Sequence, residues 1–372
     1  MMKIAMTTIL IALSVSSCSA NSDNTSVSDA EVLYTMPAES SLQEGTWLQW
    51  PHKYQYGATY RDRIEPTWIA MTRELVSGGK VHIIAYNEEV KQDIIKKLTA
   101  ASIALDSVDF RIFKTDDVWV RDNGPVYVKN VQTGALTING WGFNGWGDKE
   151  PYEYSELIPS EIAKVTRAPF VQLREKMILE GGAVEFDGRG SLMATRSSIL
   201  NDNRNPGMTQ AEAEALLKTY LGATHFIWLD GVAGVDITDM HIDALARFGE
   251  DNTIVTMTRD DLLESELSEK DIHTLYSAKN RDGKPYAYVA LPLTKNNVVT
   301  TYGKDLGYRG SYVNYYISND KVLVPNYNDP NDAVANAAVQ VLYPGRRVVG
   351  IDVRNLYENG GMIHCVTQQQ PG

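Results

Sequence analysis

The sequence predicts a mixed α/β protein with one large folded body, and three observations carry that prediction. Short apolar strands alternate with capped, amphipathic helices along the chain. From residue 33 onward, about 340 residues run without a Pro/Gly/Ser-rich linker or an abrupt shift of composition. Asp122, Glu180, His241 and Cys365 sit in similar strand-and-turn segments, 58, 61 and 124 positions apart, the last interval close to two steps of about 62. A recurrence near 60 suggests a repeated supersecondary unit arranged about an axis.

The chain opens with Lys3, an uncharged and largely apolar run from Ile4 to Val15, and then Ser16 and Ser17 before Cys18. That is the layout of a secretory signal peptide over residues 1–17, too short to remain as a membrane-spanning helix. Val15-Ser16-Ser17-Cys18 resembles a bacterial lipobox, so Cys18 is the expected lipidation site and the protein is expected to be exported and lipid-anchored at the cell envelope. An ordinary signal whose cut falls beside a cysteine is the other account of the same residues. The polar stretch that follows reads as a flexible tether over 18–40, leaving 41–372 as the folded domain.

Within that domain "KVHIIAYN" (80–87) is an apolar strand. The next helix has Asn87 as its cap, Glu88 and Glu89 in the first turn, Lys96 and Lys97 in the last, and Val90, Ile94 and Leu98 on one face. A second helix starts at Thr209 with Glu212 completing a capping box and stops at Gly222; a third opens at Asp329-Pro330. Strands are expected at 226–229, 253–257 and 347–353, with a hairpin over 312–327 turning at Asn319-Asp320.

The formal charge is −12, which disfavours nucleic acid as a partner and suits a small cationic substrate. Two cysteines occur, and with Cys18 lipidated, Cys365 is the lone free thiol of an exported protein, unable to form an internal disulfide. The six histidines, at 52, 82, 225, 241, 273 and 364, show no metal-ligand spacing, so no metal or cofactor is expected.

In "TDMHIDALARF", Asp239, His241 and Asp243 alternate, and an extended backbone would project all three from one face. "TDDVWVRDNGP" reads as a strand that delivers Asp122 to the rim of the sheet before an Asn-Gly-Pro turn. "LEGG" sets Glu180 before two glycines that let a backbone approach closely. Each has a plain structural account as well: a chance H-x-D, an Asp122–Arg121 pair, a surface charge on a turn.

As a set, "VWVRDNGP", "FNGWGDK", "LEGG…DGRGSLMATRSSILNDNRNP", "DITDMHIDALARF" and "NGGMIHCVTQQQP" resemble the agmatine deiminase and Porphyromonas-type peptidyl-arginine deiminase family of guanidine-modifying enzymes, in the same order from about Glu44 to the C-terminus. The resemblance implies a five-bladed, pseudo-symmetric α/β propeller (pentein-like) and a hydrolase without metal or cofactor. By the same resemblance Cys365 is the nucleophile, Asp122 and Asp243 clamp the planar guanidinium, His241 moves protons and Glu180 keeps His241 charged and oriented. Trp119, Asn144 and Trp146 are the expected substrate-binding residues, the two indoles as walls for an aliphatic cation. Met240 departs from the family form, which has glycine there.

Agmatine is the expected substrate. An exported peptidyl-arginine deiminase and a non-catalytic cation-binding lipoprotein remain as alternatives, as does a cysteine peptidase, which would need no second guanidinium-binding carboxylate.

Overall fold

The computed structural model describes residues 30–372. The expected signal peptide, Cys18 and the start of the expected tether lie outside the described residues.

Five sheets follow one plan: an antiparallel pair, then a helical crossover to a third, parallel strand. Val126–Asn130 pairs antiparallel with Leu136–Gly140, and Phe170–Gln172 joins in parallel after the helix Ile158–Thr166. Val184–Phe186, Ser191–Thr195 and His225–Leu229 repeat this around the helix Gln210–Leu221. Ala246–Phe248, Thr253–Met257 and Ala287–Leu291 do so around Arg259–Glu264 and Glu269–Tyr276. Tyr316–Ile317, Lys321–Asn326 and Arg347–Asp352 do so around Asn331–Leu342. In the fifth sheet the C-terminal strand Gln368–Pro371 runs antiparallel to Gln43–Gln49, which is followed in parallel by Lys80–Ala85 and Val108–Ile112. The last strand thus completes the sheet that Gln43–Gln49 starts. Parallel strands need long crossovers, and the amphipathic helices supply them.

Local chemistry explains the helix ends. Asn87 Oδ1 accepts from Val90 N, Glu88 and Glu89 occupy the first turn, and Val90, Ile94 and Leu98 are buried. Thr209 and Glu212 form the expected capping box, and Gly222 closes that helix at φ 79°, a left-handed position that glycine takes without strain. Pro330, expected at the first helical position, is instead the cap of the helix Asn331–Leu342, which starts one residue later. The hairpin turns at Asn319-Asp320 as expected, pairing Ile317 with Val322.

Three expectations are corrected. Residues 239–243 are not extended: Asp239 and Met240 have φ of 59° and 72°, and Ile242–Ala244 forms a 3₁₀ turn. Val120–Asn123 is a helical turn rather than a strand end. The body also begins before residue 41, because Tyr34–Thr35 pairs with Lys129 and Asn130 and the Glu39 side chain is only 10% exposed.

The corrected segments share a location. The turns Val120–Asn123, Gly181–Ala183, Ile242–Ala244 and His364–Val366 each lie just ahead of the first antiparallel strand of a sheet. Asn314 holds the corresponding place before Tyr316–Ile317, within the doubled interval between His241 and Cys365. Each unit therefore delivers one short turn to a common region.

Thr209→Ala removes one hydrogen bond of the capping box, which is worth about 1 kcal/mol. The urea midpoint is expected to fall with an unchanged slope, and a matching fall in turnover would show that the helix does more than support the sheet.

Candidate active site

The common region is a cavity of about 520 Å³ whose walls include Trp119, Asp122, Trp146, His241, Asp243 and Cys365. Glu180 lies behind His241 with its side chain fully buried, and does not line the cavity. Asn144 is a correction: it is not in the wall. Its Nδ2 donates to Asn203 O at 2.9 Å and its Oδ1 accepts from Gly147 N at 2.9 Å, so it caps the turn that carries Trp146. Asp239 likewise turns away, accepting from Arg204 Nη1 at 3.0 Å and Lys149 Nζ at 2.8 Å. The left-handed backbone at Asp239 and Met240 is what separates Asp239 from His241.

Asp122 is fixed from two sides, accepting from Gly182 N at 3.0 Å and from Trp146 Nε1 at 2.9 Å. Glycine is required at 182, since a Cβ there would stand 2.7 Å from His241 Nδ1, 2.8 Å from Asp122 Oδ1 and 3.1 Å from Asp243 Oδ2. Gly361 similarly makes room for Trp119, whose ring a Cβ would meet at 2.2 Å. His241 Nδ1 is 3.6 Å from Asp122 Oδ1, and its Nε2 is 3.8 Å from Glu180 Oε2. Glu180 is itself held by Arg204 Nε at 2.5 Å.

Asp243 and Cys365 meet through residues that sequence reasoning did not assign. His364 Nδ1 lies 2.7 Å from Asp243 Oδ2, and Asn314 Nδ2 donates to the same oxygen at 3.1 Å. The Cys365 thiol donates toward Asn314 Oδ1 at 3.4 Å and Asp243 Oδ2 at 3.9 Å. Asp243 Oδ1, His241 Nε2 and Glu180 Oε2 are buried without a hydrogen-bond partner among the described residues. The one signal for Asn314 in the sequence was the doubled interval; His364 had none beyond its place next to Cys365.

The electrostatics follow from burial. Desolvation works against charge on His241, but Asp122, Glu180 and Asp243 outweigh it and raise its pKa to about 9. Burial pushes the Asp122 carboxyl up, and the nearby Asp243 and Glu180 carboxylates add to that against the His241 charge. Burial also opposes ionisation of Asp243, yet the bond to His364 prevails and holds its pKa below the usual range. Cys365 is driven well above an ordinary thiol, first by burial and then by the Asp243 and Asp122 charges. The cavity therefore holds a thiol, an imidazolium and more negative than positive charge, and no lysine or arginine among the described residues lines it. Its chemistry favours a planar cation, which two carboxylates can orient by paired N–H bonds. No cluster of His, Cys, Asp and Glu able to hold a metal occurs among the described residues.

Comparison with known proteins places the chain in a family. The model of the Porphyromonas-type peptidyl-arginine deiminase family covers residues 35–371. The chain belongs to that family. Like its other members it is a hydrolase acting on C–N bonds. A provisionally named agmatine deiminase of Yersinia pseudotuberculosis is 32% identical over 361 residues, covering 91% of this chain and 95% of that protein. The agmatine deiminase of Enterococcus faecalis superposes with a TM-score of 0.78 at 25% identity, over 91% of this chain and 96% of its own. A provisionally named arginine deiminase from Porphyromonas gingivalis superposes with a TM-score of 0.78 at 30% identity, over 91% and 98%. Deiminases of this family share the α/β class described above.

His241 gives a pH prediction. A pKa raised from 6.5 to about 9 means its charge stabilises the fold fully below pH 6.5, and that contribution is lost as pH rises through about 9. By ¹⁵N NMR the imidazolium is expected to titrate near pH 9, with a lower midpoint in Glu180→Gln; an unmoved midpoint would remove Glu180 from the account. Gly182→Ala is expected to lower kcat/KM at least ~100-fold, since an added methyl displaces Asp122 and His241 together. Its far-UV circular dichroism should match that of the unaltered protein.

Proposed function

We propose that the protein deiminates a decarboxylated guanidine, agmatine foremost, yielding N-carbamoylputrescine and ammonia. The observation that carries this reading is the wall of the cavity: two buried carboxylates, an imidazolium and a lone thiol, with no lysine or arginine among the described residues to hold a substrate carboxylate. At the mouth stand Glu150, Asp236 and Glu358. Glu358 is paired with Lys304 and Asp236 is bonded to Met240 N, whereas Glu150 makes no salt bridge among the described residues. An amine at the far end of an aliphatic chain suits that mouth, and an α-carboxylate does not.

In the proposed sequence the guanidinium lies between Asp122 and Asp243, with Trp119 and Trp146 beside its alkyl chain. Its charge offsets the carboxylates that suppress ionisation of Cys365, so substrate entry itself favours the thiolate, the thiol proton leaving to solvent. The sulfur attacks the guanidinium carbon and forms a C–S bond. His241 gives its proton to one terminal nitrogen, the C–N bond breaks, and ammonia leaves, with an S-alkylthiouronium intermediate remaining. Water then attacks the same carbon, His241 takes one of its protons, the C–S bond breaks to return the thiolate, and the remaining hydroxyl proton passes to solvent, where it converts the ammonia to ammonium, as the ureido C=O forms.

The same reading takes the five like-built sheets as blades of a pseudo-symmetric propeller. Its support is the equivalent turn ahead of each sheet's first strand and the pairing of the C-terminal strand with Gln43–Gln49. It also keeps the exported, lipid-anchored form expected from residues 1–18. Peptidyl-arginine is the second substrate, favoured by the family match and by that expected leader.

A ureido-specific colorimetric assay decides among them. Agmatine is expected to exceed both free arginine and an arginine-containing peptide by at least ~10-fold in kcat/KM, and Cys365→Ala to give no product while unfolding like the parent. Faster turnover of the peptide would transfer the function to protein citrullination, and activity retained in Cys365→Ala would end the covalent mechanism.

A further inference from the structure

Beneath the cavity lies a set of buried charges that the proposed mechanism leaves unused. Glu39 enters it from the segment that the sequence marked as tether. Its Oε2 lies 2.8 Å from His364 Nε2 and accepts from Arg121 Nη2 at 3.2 Å. Its Oε1 accepts from Ile317 N at 2.8 Å and lies 3.1 Å from Arg247 Nη2. His364 spans the gap to the cavity, because its other nitrogen, Nδ1, is 2.7 Å from Asp243 Oδ2. Glu39, His364 and Asp243 thus form one line from the N-terminal segment to the wall, and the His364 ring is gripped at both nitrogens.

The grip has a consequence at Asp243. With Oδ2 engaged by His364 and by Asn314, the other oxygen, Oδ1, is left buried and without a partner. An imidazole held from one side only can rotate or withdraw, and Asp243 with it. Burying Glu39 also demands compensation, which Arg121, Arg247 and His364 provide. A carboxylate that merely pinned the N-terminal segment would need the arginines but not the histidine.

We propose that Glu39 is a positioning residue for the guanidinium clamp, acting through His364 to hold Asp243 with one oxygen free for the substrate. The folded body therefore includes the last part of the expected tether for a catalytic reason as well as for packing. The inference rests on the deiminase reading, and its test separates the two.

In the full chain, Cys365 is alkylated with 2-chloroacetamidine, a planar cation, and with neutral iodoacetamide, and the ratio of rates is compared between parent and Glu39→Gln. The amidinium must be seated by Asp122 and Asp243; iodoacetamide need not be. The expected result is a ratio lowered about tenfold, the scale of a lost charge-assisted hydrogen bond, with the iodoacetamide rate changed less than about twofold. An unchanged ratio, or an equal loss with both reagents, overturns the proposal and leaves Glu39 a structural pin. If Glu39→Gln does not fold, His364→Asn, which keeps an amide donor near Asp243 but releases Glu39, is read by the same two criteria. A parent protein with no preference for the amidinium overturns the deiminase reading and this proposal with it.

Discussion

Asp122 and Asp243 are buried in the wall of the same cavity, and the Cys365 thiol lies beside them. Unit charges 4 Å apart at an effective dielectric near 20 interact by about 4 kcal/mol, so two carboxylates and a thiolate cannot share that space without a counter-charge. His241 supplies part of it, which is why its pKa rises to about 9. The remainder shows in the raised Asp122 and Cys365 pKa values. A site in this condition is completed by its ligand: a cation relieves the carboxylates and the sulfur at once. In the proposed reaction, thiol ionisation and substrate binding therefore become one event.

Holding such a site open against its own repulsion is the work of the surrounding turns. Each of the five sheets begins just after a short turn or bend, and those turns bring Asp122, Gly182, His241, Asp243, Asn314 and Cys365 together. A turn presents its side chain end-on and tolerates a glycine where three polar groups converge, as at Gly182. An alternating strand would have spread Asp239, His241 and Asp243 along one face instead. Met240 bears the strain of this design: a buried methionine at φ 72°, a conformation that costs an L-residue about 1–2 kcal/mol. It is held by Asp236 Oδ1 on its N–H and by Thr195 Oγ1 on its carbonyl.

The outer residues matter as much as those that reach the cavity. Arg204 bonds both Glu180 and Asp239, linking the group behind His241 to the segment that precedes it. Asp117, buried, accepts from Trp119 N at 2.7 Å and Asn123 Nδ2 at 2.7 Å, and so shapes the turn that carries Asp122. Burial pushes the Asp117 pKa up to about 7 despite those bonds. Asn144, expected in the wall, serves the same purpose for Trp146.

Most strands, the capped helices, the recurrence near 60 and the residue types that line the cavity were legible along the chain, because periodicity, capping and residue chemistry are local properties. The helix after Asn87 and the one from Thr209 to Gly222 stand where their caps put them. What the chain could not express locally is the company each group keeps. Asn314 and His364 carry no chemical signal of their own; they matter because Asp243 lies within 3.1 Å of both. The polar stretch up to residue 40 looks unstructured by composition, yet Glu39 finds two arginines and a histidine contributed by distant parts of the chain. Backbone handedness at Met240 was equally unreadable, since methionine does not favour it and the surrounding hydrogen bonds impose it. Residue types and their spacing come from sequence; desolvation, pairing and strain exist only once distant segments have packed.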